Sequence, residues 1–166
     1  MLHLNQIHKI FNEGTPDEKI AIDHINLTLK PGDFVTVIGS NGAGKSTLMN
    51  IISGVLVPDL GEIYIDGKNV TAMSEFKRSK MIGRVFQEPM AGTAPSMTIE
   101  ENLAMAYSRN KTRTFRRAVT KKRRDYFREV LESLHLGLEN RLSAKVGLLS
   151  GGERQALSLL MATFTE

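Results

Sequence analysis

Apolar residues fall into short runs in the first half of this chain and into helical stripes in the second. Leu2, Leu4, Ile7 and Ile10 stand among polar neighbours and predict a half-buried strand of imperfect period. Ile20, Ile22, Ile25, Leu27 and Leu29 predict a second strand, bulged near His24 where the alternation breaks. Glu13-Gly14-Thr15-Pro16-Asp17 is the turn between them. After the Lys30–Asp33 turn, Phe34-Val35-Thr36-Val37-Ile38 is a β-branched run of the kind that forms a buried parallel strand. Leu48, Met49, Ile51 and Ile52 then mark a helix face. Val57-Pro58-Asp59-Leu60-Gly61 breaks the pattern, and Glu62 to Gly67 reads as a short strand ending in an Asp-Gly turn. Ile82 to Phe86 is expected to be another strand, closed by Gln87-Glu88-Pro89.

From Met90 the pattern becomes helical. Thr98 and Glu101 form a capping box that opens a helix through about Ser108. Tyr126, Phe127, Val130, Leu131 and Leu134 make the apolar face of a second helix. Ser150 and Glu153 form another capping box, and Ala156, Leu157, Leu160 and Met161 are the stripe of a last helix.

Between the predicted strand at 34–38 and the helix that follows lies Gly39-Ser40-Asn41-Gly42-Ala43-Gly44-Lys45-Ser46, which fits the phosphate-loop pattern G-x-x-x-x-G-K-[ST]. Glycines let successive N–H groups turn inward and form a nest for phosphate oxygens. The helix that starts near Lys45 adds the positive end of its dipole. Lys45 is expected to reach the β- and γ-phosphates, and the Ser46 hydroxyl to ligate Mg²⁺. Contacts to the nucleotide are expected to centre on Asn41 to Thr47.

Length and composition narrow the picture further. The 166 residues suit one domain with a small appended lobe, and a hydrophobic content of 41% supports a core. With no cysteine, disulfides and Cys-based zinc sites are excluded. His3, His8, His24 and His135 show no ligand spacing and read as surface or strand histidines. No apolar run approaches membrane-spanning length and no signal pattern stands at the N-terminus, so a soluble chain is expected. The net charge of +4 conceals an asymmetry: Lys111 to Arg128 carries +8, and the remainder sums to −4. Arg113, Arg116, Arg117, Lys121 to Arg124 and Arg128 suggest contact with nucleic-acid phosphates. A solvated helix, near anionic lipid headgroups if near anything, is the preferred reading, because only Phe115 and Tyr126 interleave the cations as stacking platforms.

Leu149-Ser150-Gly151-Gly152-Glu153-Arg154-Gln155 matches the LSGGxxQ signature, and with the phosphate loop it resembles the ATP-binding subunits of ABC transporters. Further matches follow in order. Phe11 stands at the adenine-stacking aromatic position, Gln87 in Val-Phe-Gln-Glu-Pro resembles the Q-loop, and Met97 to Leu103 resembles the entry to the helical lobe. The resemblance covers essentially all 166 residues and looks like the first two-thirds of such a subunit. It implies an α/β fold: a P-loop NTPase core with an N-terminal antiparallel β part, an inserted helical lobe, and the C-terminal part of the core missing. The divisions expected are 1–89 for the nucleotide-binding core, 90–149 for the helical lobe and 150–166 for the signature and the start of its helix.

The resemblance also implies a mechanism. ATP and Mg²⁺ are the expected cofactors. Phe11, Gly39, Ser40, Asn41, Gly42, Ala43, Gly44, Lys45, Ser46 and Thr47 would hold the nucleotide, Lys45 and Gln87 would act in catalysis, and Ser46 and Gln87 would hold the metal. Ser150, Gly151 and Gly152 would grip the γ-phosphate on a partner's phosphate loop, in a head-to-tail dimer of identical or paired ATPase subunits. A transmembrane permease subunit would dock near 87–98, placing the protein in the cytoplasm, peripheral to the inner face of the membrane. Energy coupling to solute transport is the function implied; a non-transport ATPase that acts on nucleic acid or the ribosome through 111–128 is the alternative. Family members continue with an apolar strand ending in Asp-Glu and later a switch histidine. In this chain only Ile63-Tyr64-Ile65-Asp66 imitates that strand, followed by Gly67, and it reads as an ordinary strand. The 166 residues alone are therefore expected to bind ATP without turning it over, and to leave the phosphate-loop strand with an unpaired edge.

Overall fold

The alternation of the first thirty residues produces an antiparallel hairpin of β1 (Leu2–Phe11) and β2 (Lys19–Leu29). The computed structural model describes residues 1–88, 90–109 and 118–164, and divides into two units, Met1–Met81 and Ile82–Glu166. In the first unit, β3 (Leu60–Ile65) pairs with the other edge of β1 and β4 (Lys68–Asn69) with β3, giving the antiparallel order β2-β1-β3-β4. Leu4, Ile7, Ile22, Ile63 and Ile65 are buried, so the alternation puts one apolar set inside. The bulge expected near His24 is present. Ile7 pairs with Ile25 and Lys9 with Ile22, so His8 alone faces both Asp23 and His24. His24 takes a left-handed φ of 44° to allow it. Asp66 and Gly67 also take positive φ, 48° and 77°, as a two-residue hairpin turn requires.

Helix α1 (Lys45–Ser53) carries Leu48 and Ile51 into the same core. It begins at Gly44 and ends at Gly54, both left-handed (φ 82° and 85°). Its C-terminal carbonyls find a partner that no local pattern announces. Arg78, at the end of the short helix α2 (Glu75–Arg78), is fully buried and donates to Ile51 O at 2.6 Å and Ile52 O at 3.0 Å. The same guanidinium donates to Thr71 O at 2.8 Å and Met73 O at 3.0 Å. Burial lowers its affinity for a proton, and these four carbonyls offset the cost of holding the charge inside.

Two expected strands are not formed. Residues 34–38 and 82–86 make no strand pairing, and Phe34 and Ile38 are each 91% exposed. A strand exists through its ladder, and among the described residues neither run has a neighbour to complete one. The apolar composition of 34–38 is that of a sheet interior, while the run itself lies exposed and outside the sheet.

The second unit is helical: α3 (Ile99–Tyr107), α4 (Lys121–Glu132) and α5 (Gly151–Thr163), with 3₁₀ turns at Leu138–Asn140 and Val146–Leu148. Both predicted capping boxes are made. Thr98 accepts from the Glu101 N–H and Ser150 from the Glu153 N–H, and each glutamate returns a bond to its cap. Leu103, Phe127, Leu131, Leu138, Val146 and Leu157 are fully buried at the centre of its core. Tyr126, expected on the apolar face, lies at its margin at 40% exposure, with its ring 5.6 Å from that of Tyr107. Phe127 and Leu131 are the buried residues of α4, with Val130 half-buried beside them and Leu134 just past its end. Among the described residues no helix is long and apolar enough to cross a membrane.

Arg78→Met keeps the bulk but removes the guanidinium from four carbonyls, of which Ile51 O keeps the Gly54 N–H. Urea unfolding is expected to show a loss of about 3 kcal/mol, with Arg78→Lys recovering part of it. A neutral Arg78→Met would contradict the role given to this side chain.

Candidate functional site

Between the unpaired run and α1 the chain coils tightly. Gly42 and Gly44 take φ of 83° and 82°, and Ala43 N donates to Ser40 O at 3.3 Å. A Cβ on Gly44 would stand 2.3 Å from Ala21 O of β2, so only glycine lets the helix start this close to the hairpin. The Lys45 ammonium folds back over the coil and donates to Gly39 O at 2.6 Å and Ser40 O at 2.7 Å. A Cβ on Gly39 would meet Ala43 Cβ at 3.2 Å, which shows how closely the two ends of the coil approach. Ser40, Asn41, Gly42 and Ala43 are exposed, Ser46 is exposed in the first turn of α1, and Thr47 is half-buried. A glycine-closed loop, a lysine at its centre and a helix N-terminus at its end make a site for a polyanion.

The hairpin brings a second group to this loop. Phe11, half-buried at the end of β1, pairs with Lys19, the first residue of β2. Lys19 Nζ lies 3.5 Å from the point a Cβ would occupy on Gly42. The residue paired with Phe11 thus extends a cation to the phosphate loop, one that sequence reading passed over. Lys19 precedes the loop by some twenty residues, and only the strand register reveals its place. Lys9, whose ammonium stands 5.8 Å from the Phe11 ring centre, is held by Asp59 at 2.7 Å.

Gln87 and Ser150 to Gly152 belong to the second unit. Gln87 is exposed in a bend. Ser150 Oγ accepts from Glu153 N at 3.3 Å, and Glu153 accepts from Ser150 N at 2.7 Å and from Arg141 at 2.7 Å. Arg154 donates to Leu149 O at 2.8 Å, fastening the start of α5 to the turn before it. A Cβ on Gly151 or Gly152 would meet nothing within 4 Å, and neither has positive φ. Neither position is therefore crowded within its own unit, and a side chain larger than glycine would stand in open space. Upstream, the fully buried Asn102 accepts from Ala94 N at 2.7 Å and donates to Ala94 O at 3.0 Å and Thr98 O at 2.9 Å. It fixes the loop ahead of α3, a role its place inside an apolar stripe concealed.

Asp66, the residue of the imitation strand, sits in the β3–β4 turn and pairs with the N-terminal ammonium. Of the basic segment, Arg124 makes a bidentate pair with Glu100 at 2.6 Å and Arg128 stands 3.6 Å from Asp125. Arg113, Phe115, Arg116 and Arg117 lie outside the described residues.

Comparison with known proteins points one way. The family model described as ABC transporter matches residues 22–166. A tyrosine transport ATP-binding protein of Clostridioides difficile is 39% identical over 98% of this chain, which spans 64% of that relative's length. The lipoprotein-releasing system ATP-binding protein LolD of Psychrobacter arcticus is 30% identical over the whole chain and 71% of its own. Among solved structures, a dimeric ATP-binding cassette in a post-hydrolysis state, bound to ADP and Pi, superposes with a TM-score of 0.81. It is 29% identical over 99% of this chain and 70% of that one.

The Ser150 box generates a pH dependence. The Ser150 backbone N–H, with its hydroxyl and Arg141, holds the Glu153 carboxyl below its ordinary value of 4.5. A depressed folded value means stability that is present above the ordinary value and lost as pH falls below it. Thermal midpoints measured from about pH 5 to pH 3 should fall more steeply for the parent chain than for Glu153→Gln. Parallel slopes would refute the contribution.

Proposed function

The chain belongs to the ABC transporter ATP-binding family, and from that premise we propose that it binds ATP at the loop 39–47 with the base against Phe11, as one subunit of an energy-coupling ATPase. The observation that carries this reading is the Lys45 ammonium seated on Gly39 O and Ser40 O, within a glycine-closed loop that Lys19, opposite Phe11 in the strand register, approaches at Gly42. Phosphate oxygens offer Lys45 the same kind of acceptor that those carbonyls do, with full charge. Lys45 then neutralises the β- and γ-phosphates, while the loop amides and the α1 N-terminus hold them in line. The exposed Ser46 hydroxyl, in the first turn of α1, suits a hard cation that takes oxygen ligands, and Mg²⁺ would supply charge neutralisation there.

The same reading extends to partners. Ser150, Gly151 and Gly152 would meet the γ-phosphate held by a second ATPase subunit, identical or paired, in a head-to-tail dimer. Their open surroundings, with no packing demand for glycine, support that use. The segment 87–98, whose later part is braced by Asn102, would take the membrane-embedded permease subunit, and the protein would work at the cytoplasmic face of the membrane. Cargo selection would rest with that permease, since relatives named for tyrosine transport and for lipoprotein release both match this chain. The nucleic-acid alternative is not favoured: Arg124 and Arg128 are engaged by carboxylates of their own unit.

Titration of a fluorescent ATP analogue tests the site. Phe11→Ala should weaken binding by about 1–3 kcal/mol, the range of base–aromatic stacking. Lys45→Ala should cost a similar amount through the lost charged hydrogen bonds. Unchanged affinity in both would overturn the assignment.

A further inference from the structure

The β1–β2 bulge gathers three side chains that can bind a metal. At this point His8 of β1 faces two residues of β2, and those two are Asp23 and His24. One ligand atom from each of the three lies within 4.8 Å of the others. The sequence spacing hides this arrangement, because His8 and His24 meet only through the strand register.

The cluster differs from a chance surface grouping in one respect. The His8 side chain is 9% exposed, and its Nδ1 is buried and makes no hydrogen bond. A buried imidazole nitrogen without a partner costs stability unless something engages it. That nitrogen faces Asp23, standing 3.4 Å from Asp23 Oδ1. His24 Nδ1 approaches the same oxygen, at 2.7 Å from Asp23 Oδ1. The two imidazole rings are 4.6 Å apart, centre to centre.

From this geometry we infer that the bulge is a binding site for a divalent transition cation of the zinc type, with His8, Asp23 and His24 as ligands. Zinc bonds of about 2.0–2.1 Å at the tetrahedral angle place two ligand atoms about 3.3 Å apart. The His8–Asp23 separation already meets that figure. The His24–Asp23 separation is that of a hydrogen bond, which the cation would replace with a small opening of the pair. Two imidazoles and a carboxylate form a donor set suited to zinc and its neighbours, not to magnesium or calcium. Asp23 and His24 are 73% and 52% exposed, so the cation has a way in and water can fill the fourth position. Bound there, it would pin the register of the hairpin whose far end carries Phe11 and Lys19.

The test uses the full chain, stripped of metal by chelation, on a His3→Ala background so that the N-terminal amine and His3 do not chelate. Cobalt(II) is titrated and followed by its visible absorption, then displaced with Zn²⁺. One equivalent, with the intense bands of a four-coordinate site, is expected. His24→Asn, in which asparagine tolerates the left-handed backbone, should weaken binding about a hundredfold or more. Zn²⁺ should raise the thermal midpoint of the His3→Ala chain and leave that of His24→Asn unmoved. His8→Gln should behave alike if it folds; His24, being exposed, keeps the test decisive if it does not. Lys45→Ala should bind the metal normally. Absence of saturable binding, or binding undiminished in His24→Asn, would overturn the site and leave an Asp–His pair that shares only a proton.

Discussion

The first unit depends on how helix α1 is held at its two ends. At its start, Gly44 brings the helix against the carbonyl of Ala21 at a distance no side chain permits. At its end, Arg78 adds a charged donor to the carbonyls of Ile51, which also accepts from the Gly54 N–H, and Ile52. A Cβ on Gly54 would meet the Arg78 side chain at 3.0 Å, so this end is also packed to glycine tolerance. With both ends fixed, Leu48 and Ile51 can face the sheet in only one way, and the loop 39–44 must close the remaining gap. The coil around Lys45 is the consequence.

The hairpin supplies the rest of that site through register alone. Phe11 and Lys19 are opposite one another because the strands shift register at bulges, and each shift moves a side chain to a new neighbour. One bulge converges on His8, Asp23 and His24; beyond it, the strands resume pairing at Lys9 and deliver Lys19 to Gly42. In the second unit the equivalent constraint is the pair of capping boxes. They set where α3 and α5 begin, and so where Ser150 and the exposed Gly151 and Gly152 stand.

Much of this was legible in the sequence, for a physical reason. The phosphate loop, both capping boxes, the Asp-Gly turn and the bulge near His24 are local devices whose residue types carry their own geometry. The expected strands at 34–38 and 82–86 failed because β-branched runs state a preference that only a partner can satisfy. Arg78 and Asn102 gave no signal, since a buried polar side chain is explained by carbonyls that the chain brings from elsewhere. Lys19 and the His8–His24 meeting were hidden for a related reason: strand register is a property of two segments, and neither encodes it alone.

In the function proposed above, the loop 39–47 and the Phe11–Lys19 end of the hairpin form one nucleotide site. Amide hydrogen exchange with and without Mg²⁺ and ATP tests it most directly, since it reads both segments at once without altering either. Slower exchange in both segments on adding nucleotide is expected. Protection confined to 118–132, or no change at 39–47, would contradict it.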